Sequence, residues 1–257
     1  MITYTNLGIN GRLGNQLFQY AAAKAAAIKT RSLFAIPSEN HKLFEYFKLN
    51  CKKYSLKQNG DVLSKLKLYN ETVFNYDKRY ESITDNTNLF GYFQSEKYFL
   101  SIEDEIRKDF TFKDEIVDNS KKFLNSLDDK RRFISMHIRR TDYVGLQNFH
   151  PLCSLDYYTD AMKYFGESNF LIFSDDIEWC RKNFIGKQYF FSEGNKEIDD
   201  LCIMSMCDGN IIANSSYSWW GAWLNKNNNV VAPKKWFGNA YTNKNTEDLY
   251  CRNWKIL

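Results

Sequence analysis

Between residues 133 and 232 short apolar runs alternate with segments of helical periodicity, and this alternation restricts the fold more than any other feature of the chain. Phe133–Ile138 reads as a strand, Ser154–Phe165 as a helix, Asn169–Ser174 as a strand and Ile177–Asn183 as a short helix. Strand and helix keep exchanging places through Gln188–Phe191, Glu197–Met206, Asn210–Ala213, Tyr217–Asn225 and Val230–Ala232. A strand followed by a helix lies parallel to the next strand through a βαβ crossover rather than folding back as a hairpin. Nearer the N-terminus, Ile2–Ile9 reads as a strand, Asn15–Lys29 as an alanine-rich helix and Ser32–Ile36 as a second strand. Apolar residues recur at helical spacing from Ile102 to Leu127, and a charged turn, Asp128–Arg132, follows. The pattern predicts an α/β chain of two halves, 1–130 and 131–257. Residues 40–88, rich in Lys and Asn and weakly periodic, match no element.

Composition narrows the function classes. The 257 residues carry 35 basic and 31 acidic side chains, a net charge of +4, which argues against a dedicated nucleic-acid binder. That balance still permits attraction to an anionic substrate or anionic lipid. The aromatic share is high, at 17%. Such rings stack on sugars and bases, although burial in a core is their default use. Six cysteines (Cys51, Cys153, Cys180, Cys202, Cys207, Cys251) include no C-x-x-C pair, so zinc spacing is absent and reduced thiols are expected. The longest small-apolar stretch, Ala21–Ile28, is interrupted by Lys24 and is too short to span a bilayer. With no cleavable signal pattern in residues 1–10, a cytoplasmic protein is expected, soluble or peripheral to the membrane's inner face.

Four segments carry polar groups to places where ligands bind. Gly11-Arg12-Leu13-Gly14-Asn15-Gln16 lies between a strand and a helix, where backbone amides and the helix dipole form an anion site. Its spacing departs from G-x-G-x-x-G, and a tight turn needing positive φ explains the glycines equally well. His137-Ile138-Arg139-Arg140-Thr141-Asp142 ends a buried strand, and four of the ten arginines lie between 131 and 140. A guanidinium fork grips a diphosphate through paired hydrogen bonds that lysine cannot copy. Asp142 either holds an arginine or accepts a proton, and a surface ion pair of little consequence is the plain alternative. Phe173-Ser174-Asp175-Asp176 closes another strand. Its carboxylates suit a divalent cation, a guanine edge or a helix N-cap, and composition does not separate the three. Last, Asn210–Leu224 runs from a strand through Asn214, Ser215, Ser216 and Tyr217 into a tryptophan-rich helix. Those hydroxyls and amides either receive phosphate oxygens or cap the helix.

Taken in order, GRLGNQLFQY (11–20), GYFQSEKYF (91–99), HIRRTDY (137–143), FSDD (173–176) and NIIANSSYSWWGAWL (210–224) resemble glycosyltransferase family 11, the α-1,2-fucosyltransferases. The resemblance spans nearly the whole chain except residues 40–88. It implies a GT-B-type fold, two Rossmann-like halves with an interdomain cleft, an N-terminal acceptor side and a C-terminal donor side. It implies transfer of L-fucose from GDP-β-L-fucose to the 2-hydroxyl of a galactose-containing oligosaccharide or glycolipid, with inversion and without a required metal or other cofactor. A role in lipopolysaccharide or capsule assembly follows from the same resemblance. Arg140, with Arg139 beside it, is similar to the arginine that grips the diphosphate, and Asp175 or Asp176 to the guanine reader. Asn214, Ser215, Ser216 and Tyr217 fall in the C-terminal donor loop; Arg12, Gly14 and Asn15 fall in the N-terminal loop facing the transferred sugar. Tyr217 stands where the family more often has phenylalanine. Asp142 and His137 are the candidates for a general base. Two rival readings remain: a fucosyltransferase of α-1,6 or protein-O linkage, and a non-catalytic glycan-binding protein, which should show no GDP affinity.

Overall fold

The computed structural model describes residues 1–127 and 131–257, and the chain divides into one unit of residues 1–113 and 244–251 and a second of residues 114–243 and 252–257. Of the charged turn expected at Asp128–Arg132, residues 128–130 lie outside the described residues.

The first unit contains β1 (Ile2–Thr3), α1 (Leu13–Lys29), β2 (Ala35–Pro37), α2 (Leu43–Tyr46), β3 (Lys52–Tyr54), α3 (Gly60–Leu63), β4 (Lys67–Asn70), β5 (Thr87–Phe90) and α4 (Glu103–Asp109). Its three-stranded sheet runs β1-β5-β4, and β2 pairs with β3; every pairing is parallel. The strand expected over Ile2–Ile9 keeps only its first two residues. Beyond Thr3 the Thr5 N–H turns to the Asn88 side-chain oxygen at 3.0 Å, and Leu7 and Ile9 close turns onto the Tyr4 and Asn6 carbonyls. In α1, thirteen of 17 residues are buried, as a helix apolar on nearly every side requires. The buried Lys24 is ion-paired to Asp109, which also accepts from the Tyr20 hydroxyl at 2.5 Å and the Asn50 N–H at 3.2 Å. Paired and hydrogen-bonded, the two charges are tolerable in the interior.

The second unit contains α5 (Asp114–Ser126), β6 (Phe133–Ile138), α6 (Thr141–Val144), α7 (Leu155–Phe165), β7 (Asn169–Ser174), α8 (Ile177–Asn183), β8 (Tyr189–Phe191), α9 (Glu197–Met206), β9 (Gly209–Ile211), α10 (Ser216–Leu224), β10 (Val230–Ala232) and β11 (Lys255–Ile256). Its sheet is six-stranded and parallel throughout, in the order β11-β10-β9-β6-β7-β8. One face packs Ile134, Met136, Ile172 and Ile211 against Tyr158, Ala161 and Phe165 of α7. The other face packs Leu171 and Phe173 against Ile203 and Met204 of α9. Burial on both faces is why these strands read as continuous apolar runs.

Two sequence expectations need correction here. The helical stretch from Ile102 to Leu127 is two helices, broken where Phe112 bridges to Phe47 and the Lys113 N–H donates to the Tyr46 carbonyl at 2.9 Å. The division between units falls at this break rather than near residue 130. Helix α5 belongs with the second unit, because the Ser120 hydroxyl donates to the Asp199 carbonyl of α9 at 3.3 Å. Among the described residues no helix is long and apolar enough to cross a membrane.

Candidate active site

In the second unit β6 comes first in sequence but lies in the middle of its sheet, between β7 and β9. The chain fills one side with β7 and β8, then crosses to the other with β9, β10 and β11. Strand order therefore reverses beside β6, and in open α/β sheets ligands sit at the C-terminal strand ends at such a switch point. Three of the segments picked from sequence end there: Arg139–Asp142 after β6, Asp175–Asp176 after β7 and Asn214–Tyr217 after β9.

The structure brings Arg139, Arg140, Asp142, Asp175 and Asp176 together. Asp175 Oδ1 accepts the backbone N–H of Arg140 at 2.9 Å. Its Oδ2 accepts the Thr141 N–H at 3.2 Å, accepts the Thr141 hydroxyl, and pairs with Arg139 Nη1 at 3.1 Å. Arg139 Nη2 donates to Asp142 Oδ2 at 2.7 Å, so this guanidinium is held between two carboxylates. Arg140 is held differently. Its Nε donates to Asp176 Oδ2 at 3.2 Å, and its guanidinium carbon lies 3.8 Å from the centre of the Trp179 ring. A guanidinium stacked on an aromatic face keeps its edge available. Among the described residues Nη1 and Nη2 of Arg140 make no hydrogen bond, and the side chain is 18% exposed.

Asp176 also caps α8, its Oδ1 accepting the Trp179 N–H at 3.2 Å. The N-cap alternative therefore holds for Asp176, alongside its bond to Arg140. Ser215 likewise caps α10, accepting the Tyr217 N–H at 3.4 Å, and Ser216 begins that helix, half-buried. The Asn214 side chain is committed to the fold: it donates to the Pro151 carbonyl at 3.0 Å and the Trp236 carbonyl at 2.9 Å. Its own carbonyl accepts the Tyr143 hydroxyl at 3.1 Å, and Tyr143 lies beneath Arg139. The tryptophans of α10 are core; Trp219 is in ring contact with Trp220, Trp223 and Trp254.

His137 is 6% exposed, its ring 5.5 Å from that of Tyr217, and its Nδ1 is buried with no hydrogen-bond partner among the described residues. Burial, then the nearby Arg139 charge, pushes its pKa down to about 4, so the ring is neutral near pH 7. Asp200 of α9 accepts from the Ser192 hydroxyl at 2.6 Å, and burial pushes its pKa up to about 6.

These two groups impose opposite pH slopes on stability. Between pH 6.5 and 4 the unfolded His137 holds a proton that the folded one refuses, so its contribution is complete above pH 6.5 and is lost as pH falls. Folded Asp200 keeps a proton that the unfolded one has released, so its contribution is present below pH 3.8 and is lost as pH rises through 6. At about 1.4 kcal/mol per pKa unit, each amounts to about 3 kcal/mol. Asp200→Asn should raise unfolding free energy relative to wild type by up to that amount at pH 7.5, with the gain vanishing by pH 4. Urea unfolding of both proteins across this range is the check; a pH-independent difference would contradict it.

In the first unit Gly11, at φ +103°, leads into α1, and a Cβ there would lie 2.4 Å from Asn15 Nδ2. The glycine is required by the turn and by the close approach of Asn15. Arg12 precedes α1 and is exposed, Gly14 is buried in its first turn, and Asn15 Oδ1 accepts from Gln94 Nε2 at 2.8 Å. Sequence reasoning carried Thr141 and Gln94 only as members of their motifs and missed Trp179. Trp179 had a usable signal, a large ring in the first helical turn after the Asp175-Asp176 strand end. Among the described residues no three His, Cys, Asp or Glu side chains converge in a way that would hold a metal ion.

Comparison with known proteins identifies the family and the fold type. Residues 2–257 match the family model "Glycosyl transferase family 11". The chain is 33% identical to an alpha-1,2-colitosyltransferase of Escherichia coli over 88% of its own length and 90% of that protein. It is 30% identical to the E. coli O-antigen biosynthesis glycosyltransferase WbnK, covering 94% and 98% of the two. Identity to the galactoside alpha-(1,2)-fucosyltransferase 1 of Alouatta caraya is 25%, over 84% of this chain and 63% of that one. Among solved structures it is similar to POFUT1 in complex with GDP-fucose (TM-score 0.55, 14% identity, 90% and 96% coverage). It is also similar to the alpha-1,6-fucosyltransferase NodZ soaked with GDP-fucose (TM-score 0.51, 11% identity, 87% and 90% coverage). At these identities the likeness is one of fold, α/β of the GT-B type. With a match that runs from its second residue to its last, the chain belongs to glycosyl transferase family 11 and is a glycosyltransferase.

Proposed function

We propose that this protein transfers L-fucose from GDP-β-L-fucose to the 2-hydroxyl of a terminal β-galactoside, with inversion and without a metal ion, in the synthesis of a bacterial surface polysaccharide. The observation that carries the reading is Arg140 at the switch point, stacked on Trp179 and fixed through Nε, with both terminal nitrogens turned to no protein acceptor among the described residues. Breaking the fucose–phosphate bond leaves negative charge on the β-phosphate. A prearranged guanidinium stabilises that charge more in the transition state than in the ground state, as catalysis requires. Arg139, clamped between Asp142 and Asp175, serves chiefly to shape the loop and supply positive potential.

Asp175 has both oxygens engaged by the 139–141 segment, whereas each Asp176 oxygen accepts one hydrogen bond and keeps capacity for a guanine N1–H and amino group. Asp176 is therefore the better guanine reader of the two. For the base, His137 is deeply buried, while the Asp142 side chain is 39% exposed. Asp142 is the group an incoming hydroxyl can reach.

A second donor is favoured by one specific finding, the 33% identity to a colitosyltransferase. Colitose is fucose without its 3-hydroxyl, so one nucleotide site serves both and discrimination falls on that hydroxyl. The test is GDP release from GDP-fucose and from GDP-colitose, in excess EDTA, with and without a panel of β-galactosides. Galactoside-dependent release from GDP-fucose, with NMR showing an α-1,2 linkage in the product, is the expected result. Preference for GDP-colitose replaces the donor in this reading; absence of GDP binding overturns it.

A further inference from the structure

The stretch 40–88, which matches no pattern in the sequence, contains a carboxylate tied to the loop that the family resemblance places against the transferred sugar. We infer that Glu71 is a positioning residue for Asn15, acting through the 91–94 turn and Gln94. This rests on the reading of Gly14 and Asn15 as the N-terminal donor loop.

Glu71 directly follows β4, and its N–H extends the ladder to the Phe90 carbonyl at 2.9 Å. Its side chain then reaches over the turn that leaves β5. Oε2 accepts both the Tyr92 and the Phe93 N–H at 2.8 Å, and Oε1 accepts the Tyr98 hydroxyl at 2.8 Å. The turn it grips is not one the chain would adopt unaided. Phe93 has φ +54°, a left-handed conformation that is costly for a bulky aromatic residue. Gly91 has φ +152°, and a Cβ there would lie 2.5 Å from Glu71 Cβ, so carboxylate and glycine are fitted to each other. The far side of the turn is also held, the Gly91 carbonyl accepting from the Tyr4 hydroxyl at 2.8 Å and from Gln19 Nε2 at 3.4 Å. The residue following this over-determined pair is Gln94, which donates to Asn15 Oδ1 at 2.8 Å.

Burial works against the charge, raising the Glu71 pKa despite the three donors that favour the carboxylate. What the carboxylate supplies is two acceptor bonds to consecutive backbone N–H groups, and these set where Gln94 leaves the turn. Asn15, at the N-terminal end of α1, then has its side-chain oxygen occupied, which fixes the direction of its NH2 group beside Gly11.

A double-mutant cycle tests this, with turnover of GDP-fucose in the presence of acceptor as the readout and GDP affinity as the control for folding of the second unit. Glu71→Ala and Asn15→Ala should each lower kcat by about 10²-fold, as displacement of a positioned group by about 1 Å does. Glu71→Gln should recover most of it, because its amide oxygen accepts the same two N–H groups and its NH2 donates to Tyr98. In the Glu71→Ala/Asn15→Ala double variant, turnover should be no lower than in Asn15→Ala alone. Losses that multiply would show Glu71 acting elsewhere and would overturn the inference. Should Glu71→Ala unfold, Glu71→Asp, whose carboxylate stands one methylene further from the Tyr92 and Phe93 N–H groups, takes its place in the cycle with Asn15→Ala, with the same two outcomes. If Asn15→Ala alone leaves turnover intact, the donor-loop reading fails and the inference falls with it; if Asn15→Ala is impaired and Glu71→Ala is not, only the inference falls.

Discussion

Arg140→Ala should lower kcat/KM by about 10³-fold, a loss of about 4 kcal/mol of transition-state stabilisation, while leaving the protein folded. The fold is spared because the part of residue 140 that Asp175 grips is its backbone N–H, which alanine retains. What disappears is the guanidinium, with its contact to Asp176 and its stack on Trp179. Arg140→Lys should recover little, since an ammonium carries the charge but neither the paired donors nor the flat face. Steady-state kinetics with GDP-fucose and a galactoside, beside thermal melting of each variant, separate the outcomes. Turnover within threefold of wild type in the alanine variant would remove Arg140 from the reaction.

Asp175→Ala should do the opposite, damaging structure first and activity through it. Four donors converge on this carboxylate: the Arg140 N–H, the Thr141 N–H, the Thr141 hydroxyl and the Arg139 guanidinium. Hydrogen bonds to a charged group are worth about 1.5–3 kcal/mol each, but at 19% side-chain exposure water replaces part of what is lost. We expect a net destabilisation of about 3 kcal/mol and at least about a 10²-fold fall in kcat, because the turn that aims Arg140 loses its anchor. Asp175→Asn, which keeps one acceptor oxygen, should fall between. The decisive comparison is Asp175→Ala with Asp176→Ala. The first should lose stability and turnover with GDP affinity falling less; the second should lose GDP affinity most. The reverse pattern would make Asp175 the guanine reader.

What could be read from sequence follows from where burial is local and where it is not. Strand β6 was legible because its residues Ile134, Met136 and Ile138 are buried on one face and Ser135 and His137 on the other, so FISMHI is nearly unbroken by exposed residues. Strands β3 and β4 were illegible because they are mostly exposed, and KKY and KLYN carry no apolar signature. Their identity comes from ladder partners far along the chain, Ala35–Pro37 and Thr87–Phe90. The break after α4 was hidden for the same reason, since the residue that opens it, Phe47, precedes Phe112 by more than sixty positions. At the site, residue types were legible and pairings were not. Sequence located Arg139, Arg140, Asp175 and Asp176, but that Asp175 faces the Arg140 backbone and Trp179 underlies its guanidinium depends on β6 and β7 lying in register from Phe133–Asn169 to Ile138–Ser174.

The interleaving of the two units bears on how such a chain is recombined. Residues 244–251 return to the first unit after the second is almost complete, and Asp248 there accepts the Tyr76 N–H at 3.0 Å and pairs with Lys97 at 2.5 Å. The last strand then rejoins the second sheet beside β10. A single crossover at residue 113 would therefore give a hybrid whose N-terminal half carries a foreign strap in place of its own. Exchange of specificity between relatives by domain shuffling requires three junctions, at 113, 243 and 251, with the short strap travelling alongside the half it serves.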